Sequence, residues 1–150
     1  MKFWIFVVIL VFGVSFAFAQ NFFVGLETSS GVLNSGVLGI GGGVDTPHAI
    51  IGGSLLTSYV ETDIGLNFTN ILGNLYTNDN FNINYGWTSL FYLASGYVTT
   101  FGFGVGGSLV EHWKIQNIPL LFKQTLYIDT SLTSIRLFDV GTNFGFYYEF

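Results

Sequence analysis

Alternation with a period of two runs through most of this chain, and its two faces are made of different residues. Phe81, Ile83, Tyr85 and Trp87 interleave with Asn82, Asn84, Gly86 and Thr88, and Ile64, Leu66 and Phe68 with Gly65, Asn67 and Thr69. Tyr97, Thr99, Phe101, Phe103 and Val105 interleave with Val98, Thr100, Gly102, Gly104 and Gly106. From Phe138 to Phe150 the second face is Asp139, Gly141, Asn143, Gly145, Tyr147 and Glu149. Successive side chains of a strand point to opposite sides, so this is the pattern of two-faced strands. The 20 glycines agree, since each would cost a helix interior about 1 kcal/mol. Turn signals at Ser29–Ser35, Asp45–Pro47, Glu61–Asp63, Thr77–Asn80, Ala94–Gly96, Val110–Trp113 and Asp129–Ser134 divide the chain. They delimit eight expected strands, near 22–28, 36–44, 49–60, 64–72, 81–92, 97–109, 114–128 and 136–150. Both faces of the third are mostly apolar, which leaves its orientation open.

Charge density decides which face looks outward. Only 9% of the residues are charged, whereas a water-facing surface carries about 25–35%. The interior of an eight-stranded barrel is just wide enough for side chains to fill, and cannot also hold most of the Phe, Tyr and Trp of these strands. The bulky face is therefore expected to meet lipid, and the Gly, Asn, Thr and Ser face to line a lumen. A closed barrel pairs its backbone amides without edges, as a membrane demands, and strands of about 9–11 residues suffice to cross. The expected fold is all-β: an eight-stranded antiparallel up-and-down transmembrane β-barrel over residues 20–150, preceded by a helical signal peptide over residues 1–19. Tyr59, Tyr92, Tyr97 and Tyr127 near one set of turns, and Phe22, Phe81, Trp113, Tyr148 and Phe150 near the other, are expected to form two aromatic girdles. A helical bundle fits poorly. The uncharged stretch Asn80–Val110 would bury Asn80, Asn82 and Asn84 in its span, and Gly102, Gly104 and Gly106 follow strand parity rather than one side of a helix.

The N-terminal segment reads as an address. Lys2 supplies a positive charge, Phe3–Phe16 is a run of apolar, Gly and Ser residues, and Ala17-Phe18-Ala19 places small residues three and one before the expected cut at Ala19–Gln20. The mature chain is thus expected to be exported. Its acidic balance, −5 for the whole chain, leaves Lys114, Lys123 and Arg136 as the strong bases beyond Gln20 and argues against a nucleic-acid partner. With no cysteine there is no disulfide, thiolate metal site or Cys nucleophile.

The last strand ends in Phe150, preceded on its own face by Tyr148, Phe146 and Phe144. Asn117-Ile118-Pro119-Leu120-Leu121-Phe122-Lys123 is similar to the penultimate strand of many outer-membrane barrel domains, with Gln124 where an aromatic is usual. In these features the chain resembles the small outer-membrane β-barrel proteins of double-membraned bacteria, the OmpA/OmpX-like transmembrane barrels. The resemblance implies a place in the cell outer membrane, contact with outer-membrane lipid, and Phe146, Tyr148 and Phe150 as an insertion signal read by the barrel-assembly machinery. The connections here are shorter than the long loops that carry adhesion or phage recognition in the best-known members, which argues against those roles. Pro119 cannot donate to a ladder, so a kink or bulge is expected where its strand enters the membrane.

Chemistry is sparse. His48 and His112 are expected in turns at one rim, on non-adjacent hairpins, as unpaired histidines rather than a metal pair. Ser108, Glu111 and His112 invite comparison with outer-membrane lipid hydrolases, whose Ser, His and acid lie toward the outer leaflet; here the cluster falls at the opposite rim. Gly41–Gly43 precede no helix, so no phosphate loop is expected. No catalytic set, metal or cofactor is expected. Inward-facing Glu27, Lys123, Asp139 and Glu149 are the remaining candidates. A last hairpin centred near Leu132 sets Lys123 almost opposite Gly141 and one diagonal step from Asp139. Lys123, Asp139 and Glu27 are then expected to form an ion cluster walled by Asn67, Asn82, Asn84 and Asn143, which satisfies buried polar groups and fixes register. The expected function is a structural or membrane-integrity role, extended to a narrow passive pore for small solutes. The alternatives are a periplasmic soluble barrel binding a lipid or other apolar ligand, an outer-membrane lipid hydrolase, and an accessory subunit of a larger envelope complex.

Overall fold

The computed structural model describes residues 21–31, 36–97, 99–131 and 138–150; the expected signal peptide, its cleavage site and Arg136 lie outside the described residues. Eight strands follow one another: β1 (Asn21–Gly31), β2 (Val37–Asp45), β3 (Ala49–Thr57), β4 (Thr62–Asn78), β5 (Phe81–Ser95), β6 (Thr99–Ile115), β7 (Ile118–Ser131) and β8 (Asp139–Glu149). Each pairs antiparallel with its sequence neighbours, and β1 pairs with β8 to close an up-and-down barrel. At the seam the Phe22 amide donates to the Phe150 carbonyl at 2.9 Å, and the Phe150 amide to the Phe22 carbonyl at 2.8 Å.

The bulky face points out. Phe101, Phe144 and Phe146 are 43%, 47% and 43% exposed, whereas Asn143 is 6% exposed and Gly102 and Gly145 are buried. Inside, rings fit where an inward glycine leaves space: Tyr127 lies against Gly141 and Tyr92 against Gly102. These two tyrosines therefore do not join a girdle, because their strand parity turns them into the lumen. Tyr59 and Tyr97 stay fully exposed. At the opposite end the girdle is present: Phe22 stacks on Phe150 at 6.1 Å, and Phe81 meets Trp113 at 4.2 Å. On β3 the inward residues are Ile50 and Leu56 and the outward ones Ile51 and Leu55, which resolves the strand whose faces looked alike.

Several strand ends differ from expectation by a few residues, and three of the differences have a local cause. β3 stops at Thr57, because the Ser58 hydroxyl accepts the amides of Val60 and Glu61 and folds the chain into a turn. β4 runs on to Asn78 through two bulges, at Ile71/Gly73 and Asn74/Tyr76. Each bulge inserts one residue and reverses parity, so the pair keeps Asn74 and Thr77 on the same side as Asn82 and Asn84. β6 continues through Val110–Trp113 to Ile115, and the turn falls at Gln116–Asn117, whose φ angles of 50° and 69° are both positive. Positive φ at both central residues marks the two-residue turn whose twist matches a hairpin. Pro119 sits next to it without a bulge. The β7–β8 ladder begins only at Leu120↔Tyr148, and Lys114↔Pro119 follows the hydrogen-bonded closing pair Ile115↔Ile118, so the missing N–H falls where no ladder needs it.

Candidate functional site

Inward side chains fill the lumen in layers. Midway, a row of hydroxyls crosses four adjacent strands: Thr69 meets Thr88 at 2.7 Å, Thr88 meets Ser108, and Ser108 meets Thr125 at 2.8 Å. A lone hydroxyl buried here would be costly; a chain of them satisfies each member. On the facing wall, the Asn143 amide donates to Glu27 Oε1 at 2.7 Å and the Tyr147 hydroxyl to Glu27 Oε2 at 2.9 Å. Lys123 Nζ donates to Asn67 Oδ1 at 2.7 Å, with Glu27 supplying the neighbouring opposite charge.

Toward the end opposite the termini, Tyr92 donates to Asp129 Oδ2 at 2.7 Å and the Tyr127 and Ser29 hydroxyls meet at 2.8 Å. These residues, with Glu27, Asp63 and Asn143, line a cavity of about 70 Å³, room for a few waters. Toward the termini the lumen holds an apolar plug of Phe23, Ile50, Val110, Leu121 and Tyr147, all buried and packed together. Phe23 meets the Tyr147 ring edge-on at 4.8 Å. Beyond this plug lie Asp45, His112 and Glu149: His112 Nδ1 is 3.4 Å from Glu149 Oε2 and 3.7 Å from Asp45 Oδ2.

The four inward charged candidates are thus divided among three levels, and of the expected cluster Asp139 stands apart from Lys123 and Glu27. Glu27 and Lys123 lie together at mid-lumen. Glu149 lies beyond the plug with His112. Asp139 lies at the far end, pairing with Asp129 in register, its Oδ1 accepting the Val140 amide at 2.8 Å. The cause is register: Lys123 pairs with Gly145, and Gly141 with Tyr127, so the centre of pairing lies two residues beyond the expected one and each partner shifts by four. Asn67 and Asn143 join the Lys123–Glu27 layer as lining residues. Asn82 and Asn84 instead accept from Asn74 beside the β4 bulges, a neighbour that became visible only with the bulges. Phe146, Tyr148 and Phe150 all face outward, with Tyr148 49% and Phe150 64% exposed.

His112 is neither in a turn nor unpaired; extension of β6 turns it into the lumen. His48 stays in the β2–β3 connection, where its carbonyl accepts the Ile71 amide at 2.8 Å. Ser108, Glu111 and His112 do not converge. Ser108 is engaged in the hydroxyl row, and Glu111, on the opposite face, accepts from the Trp113 indole at 3.2 Å. Asp45 and the hydroxyl row escaped sequence reasoning, although strand parity alone turns Thr69, Thr88 and Ser108 inward.

No protein-family model and no curated protein matches the chain. Among solved structures it is similar to the solution structure of outer membrane protein H (OprH) from P. aeruginosa in DHPC micelles. The TM-score is 0.58 at 12% identity, over 87% of this chain and 100% of that chain. What the two share is the fold.

Proposed function

We propose that this chain is an exported outer-membrane barrel with a structural, membrane-integrity role. The observation that carries the reading is the outward belt of Leu, Ile, Phe and Trp around a closed, polar-lined interior. In water that belt would be a large exposed apolar surface; in lipid it is the favourable partner of the hydrocarbon. A soluble container for an apolar ligand would need Phe101, Phe144 and Phe146 inside. The fold shared with a protein titled an outer membrane protein supports the same placement.

In this reading the end carrying both termini faces the periplasm, where outer-membrane barrels have their short turns. Residues 1–19 act as a cleaved export signal, and Phe146, Tyr148 and Phe150 act as the insertion signal for the barrel-assembly machinery and then contact outer-membrane lipid. The Glu27–Lys123 layer fixes register. The apolar plug favours a closed barrel over a solute path.

Gel mobility of the detergent-solubilised envelope fraction tests the placement. An unboiled band that migrates differently from the boiled one is expected, and recovery of the protein in the aqueous fraction without detergent would overturn the proposal. Planar-bilayer recording tests closure: the refolded barrel should give no steady current, and reproducible unitary currents would assign it a pore instead.

A further inference from the structure

Asp45, His112 and Glu149 belong to β2, β6 and β8, strands that the closure of the barrel brings to one end with these three side chains turned inward. One potential ligand atom from each lies within 4.8 Å of the others. The separations of 3.4 Å and 3.7 Å from His112 Nδ1 to the two carboxylates exceed the roughly 2.7–3.2 Å of a well-formed N–H···O bond. A proton on Nδ1 would make one long hydrogen bond, to Glu149, and none to Asp45. Bonds of about 2.0–2.2 Å to a tetrahedral zinc set neighbouring ligand atoms about 3.3–3.6 Å apart; the 3.4 Å separation falls inside that range and the 3.7 Å separation just above it.

An independent observation points to a ligand. Glu149 is 4% exposed, and its Oε1 is buried with no hydrogen-bond partner. Its other oxygen faces His112, so the orphaned atom belongs to a carboxylate already aimed into the cluster. A buried carboxylate oxygen without a donor is costly, and a cation removes that cost. Charge agrees: two carboxylates and a neutral imidazole are balanced by one divalent ion. Lys114, the next inward-parity residue of β6, is exposed at the rim, and the ion pairs of Asp45 and Glu149 among the described residues are both to His112.

We propose that Asp45, His112 and Glu149 form a site for a divalent transition-metal ion of zinc type, which clips β2, β6 and β8 together at the end of the barrel carrying the termini. One imidazole nitrogen with two carboxylate oxygens suits zinc, while Ca²⁺ takes six or more oxygens and Mg²⁺ keeps most of its water. Phe23 and Leu121, opposite Glu149 and His112 in register, back the site with apolar surface. The site needs only barrel closure, so it stands whether or not the barrel resides in the outer membrane.

The test is calorimetric titration of the untagged, chelator-treated barrel in detergent micelles with Zn²⁺. One ion per barrel is expected, unaffected by excess Mg²⁺. His112→Ala and Glu149→Gln should each weaken binding more than about tenfold, and His48→Ala should leave it unchanged. Unboiled gel mobility checks that each variant is folded, and Asp45→Asn replaces any that is not. Co²⁺ in place of Zn²⁺ should give the intense visible absorption of a tetrahedral site in the unmodified protein and none in His112→Ala. Zn²⁺ should raise the thermal unfolding midpoint of the former only. Absence of saturable one-to-one binding, binding unchanged in folded His112→Ala, or binding lost in His48→Ala would each overturn the proposal.

Discussion

Lys123 is 3% exposed inside the barrel, with its ammonium on the Asn67 amide oxygen and Glu27 as the nearby opposite charge. Removing one partner of a buried pair strands the other, whereas replacing both is close to neutral. Lys123→Met is therefore expected to destabilise the barrel by about 3–5 kcal/mol. Lys123→Met combined with Glu27→Gln should cost less than the two single changes added together, in a double-mutant cycle read from urea unfolding in lipid vesicles. Strict additivity would show that the two residues do not sense each other. Gly25 answers to a different constraint. A Cβ there would run into the Phe146 carbonyl and the Tyr147 Cα, backbone atoms on the neighbouring strand that cannot swing aside. Gly25→Val should prevent closure of β1 on β8, seen as loss of the fast-migrating unboiled band.

Among the elements, the β6–β7 hairpin does most to place chemistry. Its turn residues, Gln116 and Asn117, both occupy the left-handed region, which asparagine tolerates and β-branched residues do not. Asn117→Gly should leave stability unchanged or slightly raised, and Asn117→Val should lower it by about 1–3 kcal/mol, measured by the same urea titration. The sequence reading put this turn at Val110–Trp113, where charged and polar side chains break the apolar run. In the folded chain those residues are still strand, and their polarity comes from His112 facing the lumen and Glu111 holding the Trp113 indole. Gln-Asn is a weaker turn signal than Asn-Gly, so the residue types alone do not mark the true turn. The two bulges of β4 were invisible for a related reason: an extra residue leaves no mark on composition and is defined only against the partner strand.

For the molecule as a whole, the apolar plug in the lumen is the feature with the widest consequences. The plug of Phe23, Ile50, Val110, Leu121 and Tyr147 separates the rim cluster from the mid-lumen polar layer and its cavity. Phe23→Ala with Leu121→Ala should open it. Each truncation should cost about 2–5 kcal/mol, and the double variant should show currents in planar bilayers where the unmodified barrel is silent. Silence in both would locate the barrier elsewhere in the lumen.

The alternation of bulky and small residues by itself determined strand content, the number of strands, and which residues face in, because side-chain direction in a strand is a local property with period two. It could not determine which inward residues meet. Pairing that slips by an even number of residues leaves each face correct while moving each neighbour, and that is what happened to β7 and β8: Lys123 kept its inward direction but came to lie opposite Gly145 instead of Gly141, far from Asp139. Contacts across the lumen add a second dependence, on how a closed sheet of eight strands staggers, and no single strand carries that information. Hence Glu149 found His112 and Asp45, residues two strands away on either side of β8, only once the sheet had closed.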